Sequence, residues 1–324
     1  MQKSDIPKLI QTELMLVETE LQKRLDLDNE LISQVSRHIC NSGGKRMRPM
    51  LLLLASRLCN YEGQKSILYA CVMEMIHVAT LLHDDVIDGS VSRRGSISAN
   101  AKWGNNVSVL AGDYLYALSN VMLVEAEILQ IVGIVSETIM HLTDGEIRET
   151  IKKKDVQITE ADYMNIIFKK TAALFCACCK VGAILGEVGT EREKALYGYG
   201  LNLGLAFQMM DDVLDYTADE KRLGKPVGND LKEGNLTIPI IRLMQKAKPV
   251  ELEQIGQIMK NPQGTKEELS CMMNLFEQYR IFPAIVSNAC RYVEKAQKCL
   301  EGFADSPYKE ALWTVADYVV ERDH

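Results

Sequence analysis

The sequence lacks the features that mark fibrous, disordered or disulfide-linked proteins. Its 324 residues include only 8 prolines and 21 glycines, and aromatic residues make up 6%. Collagen-like and low-complexity chains need far more proline or glycine, so this composition excludes both. We find no repeat at the period of a solenoid and no linker rich in proline or serine. We therefore predict one domain over residues 1–324, although the length alone would also allow two.

An excess of basic residues and long apolar runs are also missing. The chain has 37 Lys and Arg against 44 Asp and Glu, a formal net charge of -7. This charge opposes broad attraction to nucleic acid or to an anionic membrane surface. Apolar runs such as 50–55 are far shorter than the roughly 20 residues that cross a bilayer. We predict no nucleic-acid partner, no integral membrane segment and a cytoplasmic location.

The cysteines follow neither a disulfide nor a zinc pattern. There are nine, an odd number, and we see no segment with the pattern of a secretory leader. Cys176, Cys178 and Cys179 lie close together, but no second Cys/His pair stands at zinc spacing. We expect reduced thiols that act as small buried side chains.

Strand-like alternation is hard to find, whereas apolar residues recur every three or four positions almost everywhere. This pattern predicts an all-α fold. The expected helices cover 5–25, 28–41, 48–59, 64–88, 107–127, 130–153, 160–187, 190–218, 236–246, 250–260, 265–279, 282–302 and 306–321. Thr159 with Asp162, and Thr190 with Glu193, have the spacing of N-terminal caps. The interruptions between helices are 41–49, 89–106, 152–157 and 219–235.

The strongest chemical signal is an acidic motif that occurs twice, each time near the end of an apolar helix. Its aspartates are Asp84, Asp85 and Asp88 in LLHDDVID, and Asp211, Asp212 and Asp215 in FQMMDDVLD. Helix positions four apart lie one turn apart on one face, so the first and last aspartate of each motif form a two-carboxylate edge. One such motif is often only a solvated helix end, but two copies with apolar flanks favour a binding role.

Six carboxylates brought together are unfavourable unless cations neutralise them. Oxygen ligands select hard cations, and Mg²⁺ binds one or two carboxylates while completing its shell with water and phosphate oxygens. The duplication therefore predicts Mg²⁺ and a diphosphate between the two helices.

Basic residues stand where a second anionic group would need them. The loop 43–49 is rich in glycine and basic residues and enters a helix, which suits a diphosphate. Arg93 and Arg94 follow the first acidic motif. His77 precedes Asp84 by two helical turns and so faces the same side, although a lone helical histidine is often an ordinary core residue. We predict two distinct phosphate sites.

The motifs resemble those of the trans-isoprenyl diphosphate synthases, in the same order over nearly the whole chain. They are GGKRMRPML, LLHDDVIDGSVSRRG, LAGDYL, DGE, FKKTAALF, FQMMDDVLD and GKPVGNDL. The resemblance is closest to the hepta-, octa- and nonaprenyl synthases of quinone biosynthesis. It implies the isoprenoid-synthase fold, an antiparallel helical bundle around a deep central cavity, usually as a homodimer. It also implies an enzyme that joins farnesyl or geranylgeranyl diphosphate to successive isopentenyl diphosphate units, with three Mg²⁺ ions per active site.

The resemblance further implies roles for individual residues. Mg²⁺ would be held by Asp84, Asp88, Asp211 and Asp215, supported by Asp85 and Asp212. The allylic diphosphate would contact Arg93, Lys170, Thr171, Gln208 and Lys225. Isopentenyl diphosphate would contact Lys45, Arg48, His77 and Arg94. In one departure, many relatives have Gly-Lys where this chain has Gly234 and Asn235, so a lysine is missing there; Lys232 lies three residues upstream and could substitute.

Small residues precede the first acidic motif. Ala79 and Thr80 lie about one helical turn before Asp84 and should border a growing prenyl tail. Relatives that stop at farnesyl diphosphate have bulky aromatics there, so the resemblance implies an open tunnel and a long product, expected to be octaprenyl diphosphate. The residues predicted to line this chain-length pocket are Ala79, Thr80, Ile76 and Met75.

Four other interpretations stay open at this point. A terpene cyclase shares the fold, but its second metal motif typically mixes Asp, Asn, Ser and Glu. A non-catalytic partner subunit usually loses the acidic motifs, which this chain keeps. The chain could also be the catalytic subunit of a heterodimeric heptaprenyl diphosphate synthase, or a geranylgeranyl diphosphate synthase.

Overall fold

The structure, a computed structural model, describes residues 1–218, 228–260 and 265–321. These residues are almost entirely helical, which confirms the predicted all-α class. The helices are α1 (Ile6–Leu9), α2 (Gln11–Arg24), α3 (Glu30–Asn41), α4 (Met47–Leu58), α5 (Lys65–Ile87), α6 (Ala99–Trp103), α7 (Asn105–Glu125), α8 (Leu129–Lys152), α9 (Glu160–Ile167), α10 (Ala173–Leu185), α11 (Thr190–Thr217), α12 (Asn229–Glu233), α13 (Ile238–Lys246), α14 (Pro249–Lys260), α15 (Lys266–Gln278), α16 (Ile281–Cys299) and α17 (Pro307–Val320). A 3₁₀ turn covers Lys3–Asp5, and a π-helical turn, Phe168–Ala172, joins α9 to α10.

The two predicted helix caps have different outcomes. Thr159 caps α9 as predicted, because its hydroxyl accepts from the backbone N–H of Asp162, whose carboxylate accepts from the N–H of Thr159 in return. The prediction for Thr190 is wrong, since Gly189 occupies the N-cap of α11. Gly189 has a φ of +82°, a conformation that glycine adopts at low cost, and Thr190 already lies in the first turn.

A short hairpin was missed within the predicted interruption 89–106. Strands β1 (Ser92–Arg93) and β2 (Ser96–Ile97) pair antiparallel, with Ser92 opposite Ile97. Strands of two residues are too short to leave a periodic signal in the sequence.

Helices α5 and α11 form the centre of the bundle. Helix α5 packs against α4 and α7, and α11 packs against α10 and α16. Close approach of α11 to α10 depends on glycine: a Cβ at Gly200 would lie 2.6 Å from the carbonyl oxygen of Phe175, and one at Gly204 would lie 2.6 Å from the Cα of Ala172. These contacts fix the π-helical turn against α11.

We expect Gly204→Ala to lower the free energy of unfolding by about 1–3 kcal/mol, because the added methyl group meets backbone that must shift. Chemical unfolding followed by circular dichroism measures this change. Gly256→Ala in α14 is the control, since a Cβ there meets nothing within 4 Å and helix propensity favours alanine by about 0.5–1 kcal/mol. Equal stability of Gly204→Ala and the native chain would contradict the close packing.

Two helices have the length and hydropathy of a membrane span. In α5, 72% of the apolar window is buried within the protein, as expected of a core helix. In α7 only 39% of the window is buried, so this helix presents apolar side chains on the outside of the described bundle.

Candidate active site

A cavity of about 340 Å³ lies between the C-terminal halves of α5 and α11. Asp84 and Asp88 line it from α5, and Asp211 and Asp212 line it from α11. The two acidic motifs, 127 positions apart in the sequence, therefore face one space.

The remaining two aspartates of the motifs lie beside this cavity. Asp85 is fully buried and accepts a hydrogen bond of 2.7 Å from Nε of Arg93. Asp215 is buried and accepts from the backbone N–H of Asp230 at 3.1 Å. Both carboxylates connect the motif to neighbouring segments, Asp85 to the hairpin and Asp215 to α12.

Most of the predicted basic and polar site residues line the same cavity. They are Arg48, His77, Arg93, Arg94, Lys170, Thr171 and Gln208. Lys45 does not line it, because its ammonium group donates to the hydroxyl of Tyr318 in α17 at 2.7 Å. Lys225 and the side chain of Lys232 lie outside the described residues.

The π-helical turn directs Lys170 and Thr171 into the cavity. A π-helical turn inside a helix is rare and occurs frequently at functional sites. Gly145 of α8 permits it, since a Cβ there would lie 2.8 Å from the backbone nitrogen of Lys170. The glycine of the DGE motif thus has a structural reason to be there.

Lys170 is held by two glutamates of α8, Glu146 of the DGE motif and Glu149, to which the motifs assigned no role. Its ammonium group pairs with Glu146 at 2.7 Å and also with Glu149. Burial acts to lower the pKa of Lys170, but Glu149, Asp84 and Glu146 together raise it well above its ordinary value. Lys170 is therefore a permanent cation within reach of the first acidic motif.

A buried hydrogen-bond network fixes the second motif. Tyr163 donates to Oδ2 of Asp212 at 2.6 Å, and Nε2 of Gln208 donates to Oδ1 at 2.9 Å. Thr171 in turn donates to Oε1 of Gln208 at 2.7 Å. Tyr163 lies in an ordinary amphipathic stretch of α9, so no local signal in the sequence marks it.

Two aspartates of the cavity are unfavourable in their charged form. Burial raises the pKa of Asp84 to about 8, although Lys170 acts in the opposite direction. Burial raises the pKa of Asp212 to about 7, although its bonds from Tyr163 and Gln208 oppose this. These carboxylates gain stability when cations enter, which fits the donor set that Mg²⁺ prefers.

Among the described residues, no group of three or more His, Cys, Asp or Glu side chains is already arranged to hold a metal. Each acidic motif instead offers a two-carboxylate edge. An edge of this kind suits an ion that takes its other ligands from water and from a phosphate.

The same cavity is also lined by basic side chains. Arg48 is half-buried, and its buried Nε has no hydrogen-bond partner within the described part of the chain. Burial, followed by the charge of Arg48, lowers the pKa of His77 well below its ordinary value, so its imidazole is neutral at pH 7. Arg46 belongs to the same loop but faces away from the cavity, where it pairs with buried Glu74 at 2.9 Å.

A second cavity of about 460 Å³, lined mainly by apolar groups, adjoins the first between α5, α7 and α8. The two share Thr80, Asp84 and Lys170. Of the four predicted chain-length residues, Thr80 lines both spaces. Ala79, Ile76 and Met75 are fully buried in α5 and line neither of them, so their role stays a prediction.

Comparisons with known proteins agree with this geometry. Residues 29–276 match the polyprenyl synthetase family. The chain is 37% identical to octaprenyl diphosphate synthase of Escherichia coli (strain K12), over 98% of both chains. A decaprenyl diphosphate synthase from Rhodobacter capsulatus has a TM-score of 0.94 and 34% identity over 99% of both chains. A polyprenyl synthase from Caulobacter crescentus CB15, complexed with calcium and isoprenyl diphosphate, has a TM-score of 0.95 and 33% identity, covering 99% of this chain and 98% of its own.

The family match spans most of the chain, and the relatives align with it almost end to end at more than 30% identity. The match also includes both acidic motifs and the basic residues around the cavity. The chain therefore belongs to the polyprenyl synthetase family and is a prenyltransferase.

Proposed function

We propose that this chain condenses farnesyl or geranylgeranyl diphosphate with successive isopentenyl diphosphate units to make a long-chain all-trans polyprenyl diphosphate, octaprenyl diphosphate, for quinone side chains. The observation that carries this proposal is that aspartates of both acidic motifs and several basic side chains line one cavity. The aspartates suit a metal-bound diphosphate. Arg48, His77 and Arg94 suit a second diphosphate that needs no metal.

Three Mg²⁺ ions per active site would be held by Asp84, Asp88, Asp211 and Asp215. When bound, they neutralise the carboxylates and stabilise negative charge on the diphosphate that leaves. The Caulobacter relative, complexed with calcium and isoprenyl diphosphate, supports a divalent cation and a prenyl diphosphate as ligands of this chain.

The residues of the chain orient the substrates and favour ionisation. Arg93, Lys170 and Gln208 lie where they can bind the allylic diphosphate, and Lys225 is proposed to join them. The bond from carbon to the diphosphate oxygen breaks, and the pair of electrons leaves with the diphosphate. The double bond of isopentenyl diphosphate attacks the resulting allylic cation and forms the new carbon–carbon bond.

A proton is then lost to the released diphosphate, and a longer allylic diphosphate results. No nucleophilic side chain is required for these steps. Apolar residues of the lining, such as Leu81, Ile166 and Phe207, exclude water that would trap the cation.

We also propose a homodimer in the cytoplasm, with each chain acting as one domain. Large apolar side chains are exposed along α7 and α8. They are Val109, Leu110, Tyr114, Val121, Val124, Leu129, Met140, Ile147 and Ile151. An apolar face that joins two adjacent helices is a typical protein interface, and a second copy of the chain could bury it symmetrically.

We expect Leu110→Arg combined with Val121→Arg to separate the dimer, because two charges would have to be buried in it. Light scattering after gel filtration should then fall from twice the chain mass of 36.4 kDa to a single chain mass. Val250→Arg, at an exposed apolar position on α14, is the control and should leave the mass unchanged. A native chain that is already monomeric would contradict the proposed homodimer.

Incubation of the purified chain with farnesyl diphosphate, labelled isopentenyl diphosphate and Mg²⁺ tests the function. Chromatography of the dephosphorylated products should show a ladder that ends at octaprenol. A ladder that ends at geranylgeraniol would instead identify a geranylgeranyl diphosphate synthase. No incorporation, with binding of both diphosphates intact, would identify a subunit that needs a different partner.

A further inference from the structure

Lys153 has no role in the function described so far, yet it lines the cavity of the acidic motifs. It is the C-cap residue of α8, in the short basic stretch that connects this helix to α9. Its ammonium group donates to Oδ1 of Asp88 at 2.7 Å. Both side chains are largely shielded from water, with 21% of Lys153 and 12% of Asp88 exposed. The pair is therefore better shielded than an ordinary surface ion pair.

The neighbouring wall of the cavity carries no positive charge at Asn235. This residue is buried, its Nδ2 donates to Glu233 at 3.1 Å, and its Oδ1 has no hydrogen-bond partner among the described residues. The segment that contains Asn235 is hydrogen-bonded to the basic stretch: the backbone N–H of Lys154 donates to the carbonyl of Gly234 at 3.0 Å. Lys153 and the neutral Asn235 thus line the same cavity, on two segments joined by this hydrogen bond.

A divalent cation on Asp88 would change the surroundings of Lys153. Two positive charges on one carboxylate repel each other, so the ammonium group is displaced when the ion enters. A lysine side chain has a flexible four-carbon stem and binds as a point charge, which lets it move to another anion nearby. The diphosphate bound by the same ion is the anion that the reaction brings to this place.

We propose that Lys153 is a diphosphate-binding residue, which neutralises Asp88 in the free protein and transfers to the metal-bound allylic diphosphate, supplying the positive charge that Asn235 does not. This inference rests on the proposed function. Lys153, at the end of α8, would then bind the allylic diphosphate together with Arg93 of the hairpin and Lys170 of the π-helical turn. The pKa of Lys153 agrees with this role. Burial lowers this pKa, but the hydrogen bond to Asp88 outweighs burial and raises it above the ordinary value.

Calorimetric titration with inorganic diphosphate in the presence of Mg²⁺ tests the proposal without turnover. We expect Lys153→Met to weaken binding about tenfold, as the loss of one charge-assisted hydrogen bond predicts. Lys154→Met is the matched control, since Lys154 is the next residue, is exposed and does not line the cavity. Asn235→Lys added to Lys153→Met should recover most of the lost affinity.

Steady-state kinetics should show that Lys153 affects the allylic substrate and not isopentenyl diphosphate. Lys153→Met is expected to raise KM for farnesyl diphosphate about tenfold, with KM for isopentenyl diphosphate unchanged. Lys153→Arg keeps the charge and should bind diphosphate nearly as well as the native chain. Circular dichroism of each variant verifies the fold.

Two results would overturn this inference while leaving the proposed function intact. Native diphosphate affinity in a folded Lys153→Met variant would make Lys153 only an ion-pair partner of Asp88. An equal loss in Lys153→Arg and Lys153→Met would show that charge is not what matters. If the native chain itself failed to bind diphosphate with Mg²⁺, the proposed function would fail first, and this inference with it.

Discussion

Asp84→Ala and Asp211→Ala are each expected to lower turnover by at least about 10³-fold while leaving the helical fold intact. Each substitution removes one carboxylate that lines the shared cavity, Asp84 from the first acidic motif or Asp211 from the second. The metal-bound diphosphate would then lose the ion that stabilises its departure. Single-turnover assays with labelled isopentenyl diphosphate measure the chemical step, and circular dichroism measures helicity.

Asp84→Asn distinguishes the effect of this carboxylate on turnover from its effect on the stability of the fold. Burial raises the pKa of Asp84 to about 8, so the folded protein binds a proton there that the unfolded chain releases at about pH 4. Without metal, the native chain therefore loses stability as pH rises from about 4 to about 8. Asparagine stays neutral, so this part of the pH dependence should disappear from thermal melts while turnover is still lost.

The exposed Asp26→Asn is the control for these variants, because its carboxylate lies on the surface far from the cavity lining. It should leave turnover unchanged. Retained turnover in both Asp84→Ala and Asp211→Ala would contradict the assignment of the acidic motifs to metal binding.

Thr80→Phe is expected to shorten the product made from farnesyl diphosphate from octaprenyl to geranylgeranyl diphosphate. Thr80 lines both the reaction cavity and the apolar cavity beside it, so a phenyl ring there would keep a growing prenyl tail from entering the apolar cavity. Turnover of the first condensation should continue, because the diphosphate-binding groups are unchanged. Chromatography of the dephosphorylated products measures the chain length.

Ala79→Phe tests the second position that the sequence predicts to border the prenyl tail. Ala79 is fully buried in α5, where a large side chain overpacks the core and costs about 1–3 kcal/mol of stability. We expect this variant to shorten the product as well, but to melt at a lower temperature than Thr80→Phe. An unchanged product distribution in both variants would place the prenyl tail along another face.

Much of the fold could be predicted from the sequence because the signals are local. Apolar periodicity gave most helix bounds to within a few residues, and the Thr159 capping box was predicted from a three-residue spacing. The hairpin 92–97 gave no such signal. Gly189 displaced Thr190 from its predicted cap because backbone conformation, not side-chain spacing, decided where α11 begins.

The candidate site was predicted only in part. The acidic motifs could be found because their spacing repeats, and residues such as Arg93 and Lys170 because they belong to recognisable motifs. Glu146, Tyr163 and Lys153 were assigned no role, since each contributes through a partner far away in the sequence. Lys45 was expected in the cavity, but the structure places its ammonium group on Tyr318.

The order of the amino acids is enough to predict a helical chain with two acidic edges and a basic loop, because spacing along a helix fixes which side chains share a face. Only the tertiary structure decided which groups meet across the cavity: Lys170 with Glu146, Tyr163 with Asp212, and Lys153 with Asp88. The physical reason is that these distances depend on how helices pack against each other, including the close contact at Gly204, and no spacing within one helix encodes them.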